Sequence, residues 1–229
     1  NLKQRVPEIS DRVDYIYCGV RAKSAVLDAK DNSWRNKLGI SDDVPVFISS
    51  GVLEPRKNYN FLLDIMDKWS KMGRDGILII TGEGELRDEL DRKIHEMDLV
   101  EKVRLVGYQS ETDLVRMFTS SIAFLSPSKM EGFGLAVAEA MACGTPAIVS
   151  NKGALPEVVS HHKTGFVLPI NQGPDPWISA MISLSDDSAL YKSYGEAAES
   201  RIKDIFTWER AGTETEAIYQ QVVDQYHHR

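Results

Sequence analysis

Cysteine is scarce, with only Cys18 and Cys143 in 229 residues. Each lies in or beside an apolar stretch, so both are expected to be buried free thiols rather than a disulfide or a catalytic pair. Long hydrophobic runs are missing too, which excludes a membrane-crossing helix. The opening NLKQRVPEIS lacks the basic-then-apolar layout of a secretory signal, and a cytoplasmic location is expected. Basic charge is in deficit: 27 Lys and Arg against 34 Asp and Glu leave a formal net charge of −7. That balance argues against nucleic acid as a partner and leaves room for a local basic site facing a small anion. Internal repeats, low-complexity tracts and a clear linker are absent as well.

What the chain does have is alternation. Short runs rich in β-branched residues (VDYIYCG, VPVFISSG, GILIITGEG, VRLVGY, IAFLSPS, PAIVSN and GFVLP) read as strands. Between most of them lie segments with helical spacing: NYNFLLDIMDKWSKM, ELRDELDRKIHEM, SETDLVRMFTSS and FGLAVAEAMAC. In the first, Phe61, Leu62, Ile65, Met66 and Trp69 share one stripe while Asp64, Asp67, Lys68 and Lys71 take the rest. Such an order predicts an α/β fold, a Rossmann-like doubly wound and mainly parallel sheet. After Pro169 the pattern is helical only, giving a helical C-terminal tail that packs on the same domain or reaches to another.

In such a sheet, ligands sit beyond the carboxyl ends of the strands, so the loops that follow strands are the places to seek chemistry. Two stand out. SSGVLEPRKN ends a strand at Gly51 and sets the adjacent cations Arg56 and Lys57 before a helix. SPSKMEGFGLAVAEAMACGTP holds Glu131 and Glu139 eight residues apart around Gly132 and Gly134. Those glycines allow close backbone approach, and a helix starting near Phe133 or Gly134 would aim free N–H groups at an anion such as phosphate. A carboxylate only accepts hydrogen bonds, which suits sugar hydroxyls and not a bare phosphate. A ligand with phosphates in the middle and hydroxylated rings at both ends satisfies all of these groups, and that describes a nucleotide-sugar.

The stretch EGFGLAVAEAMACGTPAIVSNKGALPEVVSHHKTGFVL resembles the signature segment of the retaining GT-B glycosyltransferases of family 4, with its two glutamates separated by seven residues. SGVLEPRKNYNFLL, LIITGEGELRDEL, VRLVGYQSETDLVRMF and FTWERAGTETEAIY are similar to that family in order and spacing, so the resemblance runs from about Val13 onward. It implies one half of a GT-B fold: residues 1–229 as the donor-binding domain, 1–12 as an interdomain segment, 205–229 as a C-terminal helix, and the acceptor domain absent from this chain. It implies Glu131 at the donor sugar hydroxyls, Glu139 at the ribose, and the amides of Gly134, Leu135 and Ala136 at phosphate and sugar, with Gly132 and Phe133 in the same turn. The backbone of Val106, Gly107 and Tyr108 would lie near the base, and Gly51 would also be a donor-binding position. Arg56 and Lys57 would neutralise the leaving diphosphate, so neither a cofactor nor a metal is expected. The implied partners are the nucleotide-sugar donor, an N-terminal acceptor domain and, through that domain, a glycolipid acceptor at the inner membrane face.

One position departs from the family pattern: many members carry arginine directly after the loop glycine, where Val52 stands. Bland readings compete as well. Glu131 as a helix cap, Arg56 and Lys57 as a solvated pair, and Gly82 and Gly84 as a plain strand-to-helix turn are the alternatives. His161 and His162 read as exposed turn residues. On function, the alternatives to a transferase are a non-catalytic nucleotide-sugar binding module and a same-fold sugar-nucleotide epimerase.

Overall fold

The computed structural model describes residues 13–20 and 33–227. The expected interdomain segment 1–12 lies outside them. Six strands, β1 (Val46–Ser50), β2 (Ile77–Thr81), β3 (Val103–Gly107), β4 (Ala123–Ser126), β5 (Ala147–Ser150) and β6 (Gly165–Leu168), form one sheet in the order β3-β2-β1-β4-β5-β6. All five pairings are parallel.

Both faces of this sheet are buried because successive side chains point to opposite sides. Val46, Ile48, Ile79, Phe124, Ala147 and Val149 enter one core, while Phe47, Leu78, Leu125 and Ile148 enter the other. The second core is closed by α2 (Tyr59–Lys71), α3 (Arg87–Glu96) and α7 (Asp175–Asp186). In α2 the expected stripe is the buried one: Leu62, Ile65, Met66 and Trp69 are at most 1% exposed, and Phe61 packs edge-on to Trp177 at 5.6 Å. Removing a side chain such as Leu62 from this interface costs about 2–5 kcal/mol. The opposite core is closed by α4 (Glu111–Thr119), α5 (Leu135–Ala142) and α8 (Ser188–Ile205). Cap residues mark two of the helix starts: Ser110 accepts from the Asp113 amide at 3.1 Å, and Asp187 accepts from the Leu190 amide at 2.9 Å. The short helices α1 (Ser33–Lys37) and α6 (Leu155–Val158) complete the domain.

The structure corrects the sequence reading at VDYIYCG. Residues 13–20 form no strand. Tyr17 instead stacks edge-on against Phe206 at 5.1 Å, and the Val20 amide donates to the Phe206 carbonyl at 2.8 Å. The sheet is bounded by β3 and β6, so this segment runs along the C-terminal elements.

The tail helix α9 (Trp208–His227) has no buried residue among those described, and leaves Trp208 and Tyr219 59% and 70% exposed. Among the described residues no helix is long and apolar enough to cross a membrane.

Candidate functional site

The chain runs outward from β1 through β2 to β3, then returns to place β4 on the other side of β1. The loops leaving β1 and β4 therefore diverge to opposite faces and open a crevice at their carboxyl ends. Both loops highlighted in the sequence lie here.

The β1 loop tightens into a single 3₁₀ turn, Pro55–Lys57, and reverses at Asn58, which holds a left-handed conformation at φ 60°. Backbone and side-chain bonds tie it to the β4 loop. The Lys129 amide donates to the Arg56 carbonyl at 2.7 Å, and Asn58 Nδ2 donates to the Pro127 carbonyl at 3.2 Å. Across this seam Lys57 Nζ meets Glu131 Oε2 at 2.6 Å, while Arg56 Nη1 reaches Glu131 Oε1 at 3.4 Å. The other Arg56 fork nitrogen pairs with Glu54 at 2.7 Å. The Lys57 and Glu131 side chains are only 15% and 11% exposed, whereas Arg56 is 44% exposed. A pair this sheltered from water fixes both partners, since removing one leaves the other charge uncompensated. The ammonium has three donors and spends one on Glu131, and the guanidinium has five in a fixed fork. Both cations thus keep donors for an anion.

Glu131 is held from behind as well. Its carbonyl accepts from the Ala154 amide at 3.0 Å, and a Cβ on Gly153, whose φ is 59°, would stand 2.2 Å from that carbonyl oxygen. Only glycine fits this contact. The sequence stretch SNKGALPE contained that glycine, but nothing local linked it to Glu131.

Beyond Glu131, Gly134 turns with φ 96° and α5 begins at Leu135. The first helical amides therefore lack intrahelical partners, and the positive end of the helix lies beside the Lys57–Glu131 pair. Gly132 is exposed with open space around it, while the Phe133 ring turns inward to Phe206, at 5.5 Å. Ala136 borders the Lys57–Glu131 crevice. One turn further along α5, Glu139 lines a separate cavity of about 310 Å³ with Tyr108, Gln109, Leu114 and Phe118. A rise of about 1.5 Å per residue puts Glu139 only about 4.5 Å along the helix from Ala136, so the two recesses are neighbours on one helix. Tyr108 follows β3 and is 82% exposed, Val106 is partly buried, and Gly107 turns the chain with φ 69°.

The Gly51 turn opens the β1 loop, and the exposed Val52 adds no charge there. Gly84 packs on the Leu53 backbone, which a Cβ would meet at 2.5 Å, so the GEG turn braces two loops. Cys143 is a buried free thiol at the cavity wall, its pKa pushed up to about 12 chiefly by burial. His161 and His162 are exposed, as expected. Sequence reasoning missed Tyr59, which is buried under the Lys57 turn.

The model of the family described as "Glycosyl transferases group 1" matches residues 30–201. The chain belongs to that family. Among the chain's relatives is an uncharacterized glycosyltransferase of Methanocaldococcus jannaschii, 27% identical over 227 residues, covering 96% of the chain and 57% of the relative. A GDP-mannose-dependent monoacylated α-(1-6)-phosphatidylinositol monomannoside mannosyltransferase of Corynebacterium glutamicum is 28% identical over 193 residues, covering 81% of the chain and 50% of that protein. The solved sucrose-phosphate synthase of Thermosynechococcus elongatus superposes with a TM-score of 0.81 at 26% identity, over 97% of the chain and 57% of the synthase. The chain thus spans about half the length of the relatives it matches, and its fold corresponds to one half of a GT-B enzyme.

Proposed function

We propose that this chain is the donor-binding half of a glycosyltransferase that moves a sugar from a nucleoside diphosphate to an acceptor with retention of configuration, in the manner of family 4. The observation that carries the reading is the Lys57–Glu131 pair, 2.6 Å apart at the switch point and beside the start of α5. Lys57, Arg56 and the first amides of α5 supply positive charge where a diphosphate would sit, and they strengthen as negative charge builds on the leaving group. This supplies without a metal what a divalent cation supplies elsewhere. Glu131 accepts from donor sugar hydroxyls while Lys57 fixes its orientation. Glu139 takes the ribose hydroxyls, and the Tyr108 cavity takes the base.

Retaining transfer also needs an acceptor hydroxyl positioned against the anomeric carbon with water excluded. The chain supplies one wall of that site, so it binds donor alone and transfers sugar only when joined to an acceptor domain. A glycan or glycolipid acceptor is in keeping with the phosphatidylinositol mannoside named for the mannosyltransferase relative. The test is calorimetric titration of the chain with UDP and with GDP, in chelator and without, followed by transfer assays of the isolated and joined forms. Binding that survives chelation and turnover confined to the joined form are the expected results. Failure to bind either nucleotide sinks the donor-site reading, loss on chelation sinks the metal-free part, and robust turnover by the isolated chain sinks the half-enzyme part.

A further inference from the structure

At the ion pair the crevice narrows to a small recess. It measures about 10 Å³, and its wall includes Ser49, Lys57, Tyr59, Ser126, Ser128 and Glu131. A space of this size is close to the least that holds one water, and a water there needs two to four polar partners, which these side chains provide. Ser126 and Ser128 hydroxyls already lie 3.2 Å apart in hydrogen-bond contact.

Tyr59 is the odd member. As the first residue of α2 it is 1% exposed, yet its hydroxyl has no hydrogen-bond partner among the described residues. The Ser49 hydroxyl is near enough to interact with the phenol, but the pair does not meet the angles of a formed hydrogen bond, so the phenol is not fully satisfied. Burial, then the nearby Glu54 and Glu131 carboxylates, raises the Tyr59 pKa, so the phenol keeps its proton and remains a donor. Buried hydroxyls without a partner are costly and rare, which makes this one informative.

Gly51 shows how near the phenol is to Lys57. A Cβ placed there would stand 3.4 Å from the Tyr59 hydroxyl and 3.6 Å from Lys57 Nζ. Both polar ends therefore lie close to one point at the end of β1.

We propose that Tyr59 is a positioning residue that, through one water held in this recess, fixes Lys57 against Glu131 and so sets the geometry offered to the diphosphate. The ligand role rests on the donor-site reading above, whereas the bridged water does not. The phenol donates to the water, and the water completes the coordination of the ammonium and carboxylate from the floor of the crevice. The two charges are then held from below, leaving their remaining donors and acceptors directed outward.

The test compares Tyr59→Phe, which keeps the ring packing, in the wild-type and Lys57→Ala backgrounds. A crystal structure of the chain should show an ordered water within hydrogen-bond distance of Tyr59 Oη, and Y59F should lose it. Losing one such neutral bond should weaken UDP or GDP binding about 3- to 10-fold. Y59F should also lower the melting temperature, and in the Lys57→Ala background both effects should shrink or vanish, because the residues are coupled. A dry recess, or a Y59F variant that melts higher, overturns the bridge. A lower melting point with unchanged affinity, or equal losses in both backgrounds, overturns the positioning role. If the wild type binds neither nucleotide, the donor-site reading fails, and the ordered water together with the melting-temperature cycle still decides the inference.

Discussion

Lys57 Nζ and Glu131 Oε2 stand 2.6 Å apart although 74 residues separate them in the chain. The contact joins the loops of the two strands that flank the switch point, so it ties the two walls of the fold's central crevice together.

Lys57→Ala should weaken nucleoside-diphosphate binding by about 1.5–3 kcal/mol, the contribution of one charge-assisted hydrogen bond. Calorimetry with UDP and GDP measures it. Unchanged affinity for both would remove Lys57 from the anion site.

The two glutamates should separate by ligand. Because Glu139 lines the Tyr108 cavity, Glu139→Ala should weaken plain nucleotide and nucleotide-sugar alike. Glu131→Ala should cost plain nucleotide only the modest loss that comes with an unpositioned Lys57, and should damage sugar recognition and transfer far more. Abolished nucleotide binding in a correctly folded Glu131→Ala would contradict the assignment.

Gly153→Ala should destabilise the chain by about 1–3 kcal/mol, because alanine is strained at positive φ and its Cβ would collide with the Glu131 carbonyl. Thermal melts give the stability. Donor-sugar recognition should fall with it, since the Glu131 backbone must move, and a variant with wild-type melting would show that the contact is soft.

Acid should loosen the β6 edge through His161. Its Nδ1 accepts from the Val167 amide at 3.0 Å, so it is held neutral, and burial followed by the neighbouring His162 lowers its pKa. The unfolded chain, with an ordinary histidine near 6.5, then binds the proton more readily. This contribution is complete above the unfolded pKa and is lost as pH falls from there through the depressed folded value. Melting curves across that window should lose part of their pH dependence in His161→Asn, and an unaltered profile would exclude His161 as the source.

Much of this fold is written locally. The β-branched runs and the stripe of Leu62, Ile65, Met66 and Trp69 specify their elements because period and burial are set by neighbours a few residues away. EGFGLAVAEAMACGTP likewise specifies a glycine turn and a helix start, since φ near 96° at Gly134 requires a residue without Cβ. The same local rules fail at VDYIYCG, whose strand-like composition finds no sheet edge and packs on Phe206 instead. Composition alone reports that a segment is apolar, not which surface is vacant for it. The joining of Lys57 to Glu131, the Gly153 contact beneath it and the recess around Tyr59 belong to the tertiary structure alone. Each depends on which strands become neighbours at the crossover, and that order is decided by packing both faces of the whole sheet.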